Sequence, residues 1–261
     1  MITPMNLEAI TKESRLKVLD LLYAAQTSHI GSCLSLLDVA VVLYENLNPL
    51  DHVVWSKGWA SALYYSLAIR KGWLDRDEVF STFPNAPYLG LLEPGVPGIN
   101  VAGGSCGHGL PVAVGMALGK KLAGEEGRVY CIMSDGEMNE GTTWESALIA
   151  GGNLDNLFVI VDKNGWQAMG RTEDIIKIAE PARIFTGFRW RFFELDGHDY
   201  EKLGIEFEGL LHAFNQYQCP TLVWANTIKG KGVSFMENHL LFHYKHVEKD
   251  EYEKALLELN E

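Results

Sequence analysis

The apolar positions of the chain fall into two patterns, short runs and longer stretches with helical spacing. The short, mostly apolar runs predict buried parallel strands at residues 129–133, 157–161, 192–195 and 221–225. The helical spacing predicts helices at residues 6–25, 36–46, 60–69, 111–122 and 250–259, with helical or loop segments at 144–151 and 200–216. Because strands alternate with helices, the pattern predicts an α/β fold with a doubly wound, mostly parallel sheet flanked by helices.

A stretch rich in proline and glycine at residues 84–109 interrupts this pattern and predicts an irregular loop, where binding sites commonly lie. It ends in Gly103-Gly104-Ser105-Cys106-Gly107-His108-Gly109, which follows no apolar strand and is therefore not a dinucleotide-binding fingerprint. These glycines still allow the backbone to approach a ligand closely. The helix predicted behind them offers free N–H groups to an anion. A tight surface turn is the alternative interpretation.

Composition and charge narrow the class of protein. The chain has 261 residues without a repeat or a linker, which favours one domain over residues 1–261. A formal net charge of −12 argues against a nucleic-acid or anionic-membrane partner, and no apolar run is long enough to span a bilayer. The N-terminus lacks the apolar core of a signal peptide, and the four cysteines show no CxxC spacing. The sequence therefore predicts a cytoplasmic protein with reduced thiols.

Two polar side chains follow neighbouring predicted strands. Asp135 comes after the run 129–133, and Asn164 comes after the run 157–161, one strand–helix–strand unit later. Because parallel strands end at the same edge of a sheet, both side chains should emerge together there. A carboxylate and a carboxamide supply hard oxygen ligands for Mg²⁺, which typically completes its octahedron with phosphate oxygens. The pair predicts a metal–diphosphate site, although an isolated Asp-Gly is usually only a turn.

Around this pair the sequence resembles the diphosphate-binding domain of the transketolase family, over almost the whole chain. The family's thiamine-diphosphate motif begins Gly-Asp-Gly and closes with Asn, and this chain has Ser134 in place of the first glycine. Further matches follow in the family's order: His29-Ile30-Gly31-Ser32, Ser56-Lys57-Gly58-Trp59-Ala60, Pro97-Gly98, the Gly104-Ser105-Cys106-Gly107-His108-Gly109 loop, Glu140-Gly141, Trp144-Glu145-Ser146, Asp196-Gly197-His198-Asp199 and residues 229–238. The last two are typical of the family's small-subunit members.

The resemblance implies a thiamine-diphosphate site with a bound Mg²⁺, for which Ca²⁺ or Mn²⁺ can substitute. It implies that Asp135, Asn164 and the backbone carbonyl of Trp166 bind the metal. It also implies contacts with the cofactor from Trp59, Gly107, His108, Gly136, Glu137 and Asn164.

The resemblance implies catalytic roles for four residues. His29 and His243 match family histidines near the diphosphate and the reacting carbon. Glu140 and Glu145 match acidic residues of a proton path between the two cofactors of a dimer. In a buried interface two carboxylates hold a proton between them because both cannot easily ionise. A solvated helix face is the alternative for each glutamate, and a structural histidine is the alternative for His243.

Two departures from the family concern the donor pocket. Trp59 stands where the family has a histidine that touches the diphosphate or the donor, and Leu89-Gly90-Leu91 occupies the region of its Gly-His-Pro segment. An indole offers one N–H donor and no acceptor or proton relay. We therefore expect the usual sugar-phosphate donors to be used poorly or not at all.

In the family, the glutamate that activates the cofactor lies on a second, pyrimidine-binding domain, for which these 261 residues leave no room. The resemblance implies the N-terminal subunit of a split transketolase, inactive without a C-terminal pyrimidine-domain subunit, with which it forms a heterotetramer. The implied activity is transfer of a two-carbon ketol or acyl-anion unit to an aldehyde-type acceptor. The alternatives are a non-catalytic regulatory relic and a 2-oxo-acid decarboxylase or carboligase subunit. The intact metal residues disfavour the relic.

Overall fold

The computed structural model describes residues 3–213 and 218–260, which form a parallel sheet between two layers of helices. The α-helices are α1 (Pro4–Ala25), α2 (Ile30–Glu45), α3 (Ser61–Arg70), α4 (Arg76–Thr82), α5 (Gly109–Ala123), α6 (Gly141–Ala150), α7 (Thr172–Ile175), α8 (Pro181–Gly187), α9 (Tyr200–Ala213) and α10 (Lys249–Asn260). The strands are β1 (His52–Trp55), β2 (Val129–Ser134), β3 (Leu157–Lys163), β4 (Arg191–Asp196) and β5 (Thr221–Asn226). Short 3₁₀ helices occupy Gly58–Ala60, Asp135–Asn139 and Leu240–His243.

The sheet has the strand order β1-β2-β3-β5-β4, and every pairing is parallel. At its carboxyl edge Ser134 of β2 pairs with Asp162 of β3, which pairs with Ala225 of β5. The residues that follow these strands therefore emerge side by side at one edge, where ligands bind in open α/β sheets. The predicted fold class is confirmed.

Both faces of the sheet are covered by helices, which explains the uninterrupted apolar strands. Successive side chains of a strand point to opposite faces. Ile132 and Ile160 accordingly face the layer formed by α1, α2, α3, α9 and α10, whereas Met133 and Val159 face the layer formed by α5, α6 and α8. Helix α2 is mostly apolar and is buried on all sides from Ile30 to Tyr44.

Most predicted elements are present with shifted ends. Helix α2 begins at Ile30, six residues before the predicted start at residue 36. Strand β1 and helices α4, α7 and α8 were not predicted, since segments of four to seven residues are too short to show a period. The segment 144–151 is helical, and α9 covers residues 200–213 of the segment 200–216, whose last three residues lie outside the described ones.

Two predictions from composition can be compared with the structure. Across the described residues, no helix has the length and apolar character that a membrane span requires. Cys33, Cys106, Cys131 and Cys219 are free thiols, as predicted. The cytoplasmic location stays a prediction.

Candidate functional site

Two neighbouring cavities, of about 470 Å³ and 330 Å³, lie at the carboxyl edge of the sheet. Asn164 and Trp166 line both of them, and Asp135 lines the smaller one. The larger cavity also receives other residues that the sequence singled out: His29, Trp59, Gly136, Glu140 and His243. A cavity of about 630 Å³ at the opposite edge, around Asn48, Asp51 and Asp155, receives none of them. The carboxyl edge is therefore the candidate site.

The Asp135 carboxylate is buried, and only one of its oxygens is hydrogen-bonded. Oδ2 accepts from the Gly165 N–H at 2.8 Å and from the Thr172 hydroxyl at 3.1 Å. Among the described residues, Oδ1 finds no donor. Burial and the charge of Asp162 raise the pKa of Asp135 to about 6. Because a buried, unpaired carboxylate oxygen is destabilising, this atom is suited to a cation.

The Asn164 amide is held at both ends. Its Nδ2 donates to Ser35 Oγ at 3.3 Å and to Asp162 Oδ2 at 3.1 Å, and its Oδ1 accepts from the Trp166 N–H at 2.9 Å. In the part of the chain that is described, no group of three His, Cys, Asp or Glu residues could hold a metal ion. The donor set at this edge is instead one carboxylate with amide and backbone oxygens. That set fits Mg²⁺, which keeps water and phosphate oxygens in its remaining positions.

Next to the amide lies a fully buried ion pair. Lys57 Nζ donates to Asp162 Oδ2, to the Ser32 carbonyl at 2.8 Å and to Ser35 Oγ at 3.2 Å. The Thr227 hydroxyl donates to the other oxygen of Asp162, Oδ1. Burial by itself would raise the pKa of Asp162, but the Lys57 ammonium and the hydrogen bonds outweigh it and hold the pKa below its usual value. The pair stays charged because each member satisfies the other.

Two histidines form the opposite wall of the larger cavity. The rings of His29 and His243 lie 5.4 Å apart between centroids, and Lys229 Nζ lies 2.8 Å from His243 Nδ1. Burial, with the charges of Lys229 and Lys57, lowers the pKa of His29 to about 4. Burial, Lys229 and the neighbouring His29 lower the pKa of His243 to about 3. Both rings are therefore neutral at pH 7 and can accept a proton.

Three further polar side chains line the larger cavity with unpartnered atoms. The Trp59 indole N–H, both amide atoms of Asn139 and the Gln167 Nε2 are buried and have no hydrogen bond among the described residues. Buried polar groups are normally paired, so unpaired ones in a cavity are available to a ligand. Met169 and Ile176 add apolar surface to the same cavity.

Glu137 ties the Gly-rich loop to the end of β2. Its buried carboxylate accepts from the Gly107 N–H at 3.1 Å, from the Ser134 N–H at 2.8 Å and from the Ser56 hydroxyl. Gly107 has a φ of +76°, and a Cβ there would lie 2.5 Å from the Cβ of Glu140. Only glycine fits such a position without strain. The Glu137 side chain is thus directed into the protein and lines neither cavity, and its predicted contact with the cofactor stays a prediction.

His108 and Glu145 lie outside both cavities. His108 is exposed at the N-cap of α5, and Glu145 is exposed on the outer face of α6. Glu140 does line the larger cavity, at the N-cap of α6. The proton path predicted for the two glutamates requires that another surface bury them, and it stays a prediction.

The sequence predicted no role for four residues of the site: Lys57, Asn139, Asp162 and Lys229. Lys57 and Lys229 lie within the quoted motifs, and Asn139 and Asp162 lie beside them. Lys57 and Asp162 are 105 residues apart, so their pairing arises only when β1 and β3 come into one sheet. The sequence near each residue gives only a weak indication of this ion pair. Each charged residue lies at the end of an apolar strand, where a parallel sheet leaves little solvent.

Comparisons with a family model, with known proteins and with solved structures all find similarity to transketolases. Residues 7–259 match the family model of the transketolase thiamine diphosphate binding domain. An apulose-4-phosphate transketolase subunit from Phocaeicola vulgatus is 33% identical, over 98% of this chain and 94% of its own. The 6-deoxy-6-sulfo-D-fructose transketolase subunit of a Clostridium species is 34% identical, over 88% of both chains.

Solved structures show the same relationship. Transketolase from Campylobacter jejuni has a TM-score of 0.88 at 27% identity, over 97% of this chain and 42% of that chain. Transketolase from Leishmania mexicana shares the fold with the same TM-score at 22% identity. The chain spans less than half the length of these solved transketolases. From the family model and the two relatives, the chain belongs to the transketolase family and comprises its thiamine-diphosphate-binding domain.

Proposed function

We propose that this chain binds thiamine diphosphate with a Mg²⁺ ion and serves as the N-terminal subunit of a split transketolase-like transferase. The observation that carries the proposal is the buried, unpartnered Oδ1 of Asp135, beside Asn164, in a chain of this family. Asp135, the Asn164 Oδ1 and the Trp166 carbonyl would hold the cation. Ca²⁺ or Mn²⁺ can replace Mg²⁺ in such an oxygen site.

The other residues of the site have separable tasks. Gly107 brings backbone close to the diphosphate, and Glu137 fixes that loop. The bound cofactor supplies a carbon nucleophile that breaks and forms bonds next to a carbonyl. His29 and His243, neutral at pH 7, are placed to take a proton from a substrate hydroxyl or to orient it.

The proposal includes a partner. Both relatives compared above are named as transketolase subunits, and they match this chain over most of their length. A C-terminal subunit with the pyrimidine-binding domain would supply the activating carboxylate, in a heterotetramer. The exposed apolar residues of α5 and α6 would then be covered: Leu118, Leu122, Leu148 and Ile149.

We further propose a donor other than the common sugar phosphates. Trp59 places an indole with an unpaired N–H in the larger cavity, where the family has an imidazole. The names of the two relatives likewise refer to apulose 4-phosphate and to 6-deoxy-6-sulfo-D-fructose. The reaction is transfer of a two-carbon ketol unit to an aldehyde-type acceptor.

Binding of Mg²⁺ and thiamine diphosphate to the full chain, with and without a C-terminal transketolase subunit, tests the first part. We expect cation-dependent binding that Asp135→Asn abolishes, whereas Asp155→Asn, at the opposite edge, leaves it intact. Turnover should require both subunits. Cofactor binding that is unaffected by Asp135→Asn would contradict the proposal.

The reconstituted pair also tests the donor. The wild-type pair should convert xylulose 5-phosphate and fructose 6-phosphate slowly or not at all. Trp59→His should increase the rate with both sugars. Efficient turnover of either sugar by the wild-type pair would contradict the altered donor pocket. Product formed from a 2-oxo acid would favour a decarboxylase or carboligase, and an assembled pair without turnover on any donor would favour a regulatory relic.

A further inference from the structure

We propose that the buried Lys57–Asp162 pair is a positioning device that fixes the Asn164 amide with its oxygen toward the cation site. The inference rests on the proposed function, in which Asn164 is a metal ligand. It assigns a task to two buried residues outside the proposed metal ligands, of which Lys57 also lines the larger cavity.

The amide needs such a device because it has two nearly equal shapes. Rotating an asparagine amide by half a turn exchanges its oxygen and its NH₂ group with almost no change in volume. Only one orientation presents an acceptor to a cation; the other presents two N–H bonds. An amide ligand without fixed neighbours would therefore be wrongly oriented part of the time.

The neighbours of Asn164 distinguish its two ends. Nδ2 faces the Asp162 carboxylate at 3.1 Å, and an ionised carboxylate can only accept hydrogen bonds. Oδ1 faces the Trp166 N–H at 2.9 Å, which can only donate. A rotated amide would place oxygen against oxygen at one end and N–H against N–H at the other. Both ends therefore favour the same orientation.

The remaining contacts keep the Asp162 side of this arrangement rigid. Oδ2 of Asp162 accepts from Lys57 Nζ, from the Ser35 hydroxyl at 2.6 Å and from Asn164. Lys57 is held in turn by the Ser32 carbonyl and by Ser35 Oγ. The carboxylate that accepts from the amide is thus held by several donors before any ligand binds.

A contribution to folding stability does not by itself explain why both charges are buried. Taking two charges out of water largely cancels their attraction, and a buried ion pair often can be replaced by apolar groups at no loss of stability. The outer partners of metal ligands, in contrast, commonly change metal affinity by about 10- to 100-fold when they are mutated. The pair is therefore expected to act on affinity more than on folding.

The test compares wild type with the double variant Lys57→Met/Asp162→Asn, which removes both charges together. Mn²⁺ serves as a probe by electron paramagnetic resonance, in the presence of thiamine diphosphate and with the full chain, alone and with its partner. We expect Mn²⁺ affinity to fall about 10- to 100-fold while the melting temperature stays close to that of wild type. Unchanged affinity in a folded double variant would overturn the inference.

Two variants separate positioning from a purely structural role. Asp162→Asn leaves Lys57 buried and unpaired, so the melting temperature of this variant should fall below that of the double variant. If Mn²⁺ affinity recovers together with stability in the double variant, the pair is structural only. Thr227→Val removes a donor from Oδ1 of the same carboxylate but leaves the Oδ2 contacts, and it should retain Mn²⁺ affinity within about threefold, well inside the loss expected of an outer partner.

A further measurement is made on the wild-type chain, with one substitution used only to assign the signals. The side-chain amide protons of Asn164, assigned from the signals lost in Asn164→Asp, should exchange slowly with solvent in the metal-free chain and shift little when Mg²⁺ is added. Fast exchange, or reorientation on adding Mg²⁺, would refute a preset amide. A wild-type chain that binds no Mn²⁺ with thiamine diphosphate, with or without its partner, would instead refute the proposed function and the inference with it.

Discussion

At the scale of single residues, burial sets the charge of the bases and acids in this site. It lowers the pKa of Lys229 to about 8, and the charge of Lys57 adds to this effect. It lowers the pKa of His29 to about 4 and the pKa of His243 to about 3. It raises the pKa of Asp135 to about 6. The chain therefore folds around neutral imidazoles and around a carboxylate that a cation would help to ionise, which is the charge pattern that metal and proton chemistry require.

The histidines make the fold sensitive to acid. Between about pH 6.5 and pH 4, histidines of the unfolded chain bind protons while His29 and His243 in the fold do not, so the free energy of unfolding should fall as the pH falls. Asp135 and Glu137 act in the opposite direction, since burial raises their pKa values and makes the fold bind protons more readily, so they reduce the histidine effect. Urea unfolding of the metal-free chain across this range measures the slope.

The variant His29→Asn/His243→Gln should lose much of this acid dependence, because neither substituted side chain titrates in that range. His246→Gln is the matched control, since its side chain is 47% exposed beside Glu248. An equally steep slope in the double variant would show that other groups cause the acid sensitivity.

At the scale of elements, sequence and structure agree where apolar residues form a run or recur at helical spacing over several turns. The strands β2, β3 and β5 could be predicted because both of their faces are covered, whereas β1 has only the three apolar residues 53–55. The sequence also placed Asp135 and Asn164 at one edge, since the ends of neighbouring strands suffice for that. It could not show that Lys57 pairs with Asp162, or that the Glu137 carboxylate turns inward to Gly107, because these contacts join segments distant in the chain.

The Gly107 turn offers a test at this scale. Gly107→Ala would set a Cβ 2.5 Å from that of Glu140 and 2.6 Å from Thr142 Oγ1, at a φ of +76°. We expect a loss of about 1–3 kcal/mol in the free energy of unfolding and weaker binding of thiamine diphosphate, because the loop must shift. Gly90→Ala is the control, since a Cβ there meets nothing within 4 Å, and it should change stability by less than about 0.5 kcal/mol. Equal stability of the two variants in urea unfolding would contradict the role given to this turn.

At the scale of the whole molecule, the two helical layers differ in what they expose. The layer of α5 and α6 exposes a group of large apolar side chains, among them Leu122, Leu148 and Ile149, close to Glu145. The opposite layer exposes isolated ones, such as Ile205 on α9 and Leu257 on α10. Several large apolar side chains exposed on one layer favour an interaction site there, whereas single exposed residues are ordinary. If a partner covers α6, Glu145 becomes buried, and the proton path implied for Glu140 and Glu145 becomes physically possible.

Assembly with a C-terminal transketolase subunit tests this assignment of faces. Leu148→Gln/Ile149→Gln should weaken assembly about a hundredfold or more, because the two side chains together would lose about 3–6 kcal/mol of burial in the interface. The chain itself should stay equally stable, since the two side chains are 62% and 66% exposed in it. Ile205→Gln/Leu257→Gln, at 72% and 68% exposure on the opposite layer, is the matched control and should assemble like wild type. Sedimentation velocity of each variant with the partner gives the affinities. An α6 variant that assembles normally, or a control that weakens assembly as much, would place the interface elsewhere and leave Glu145 in solvent.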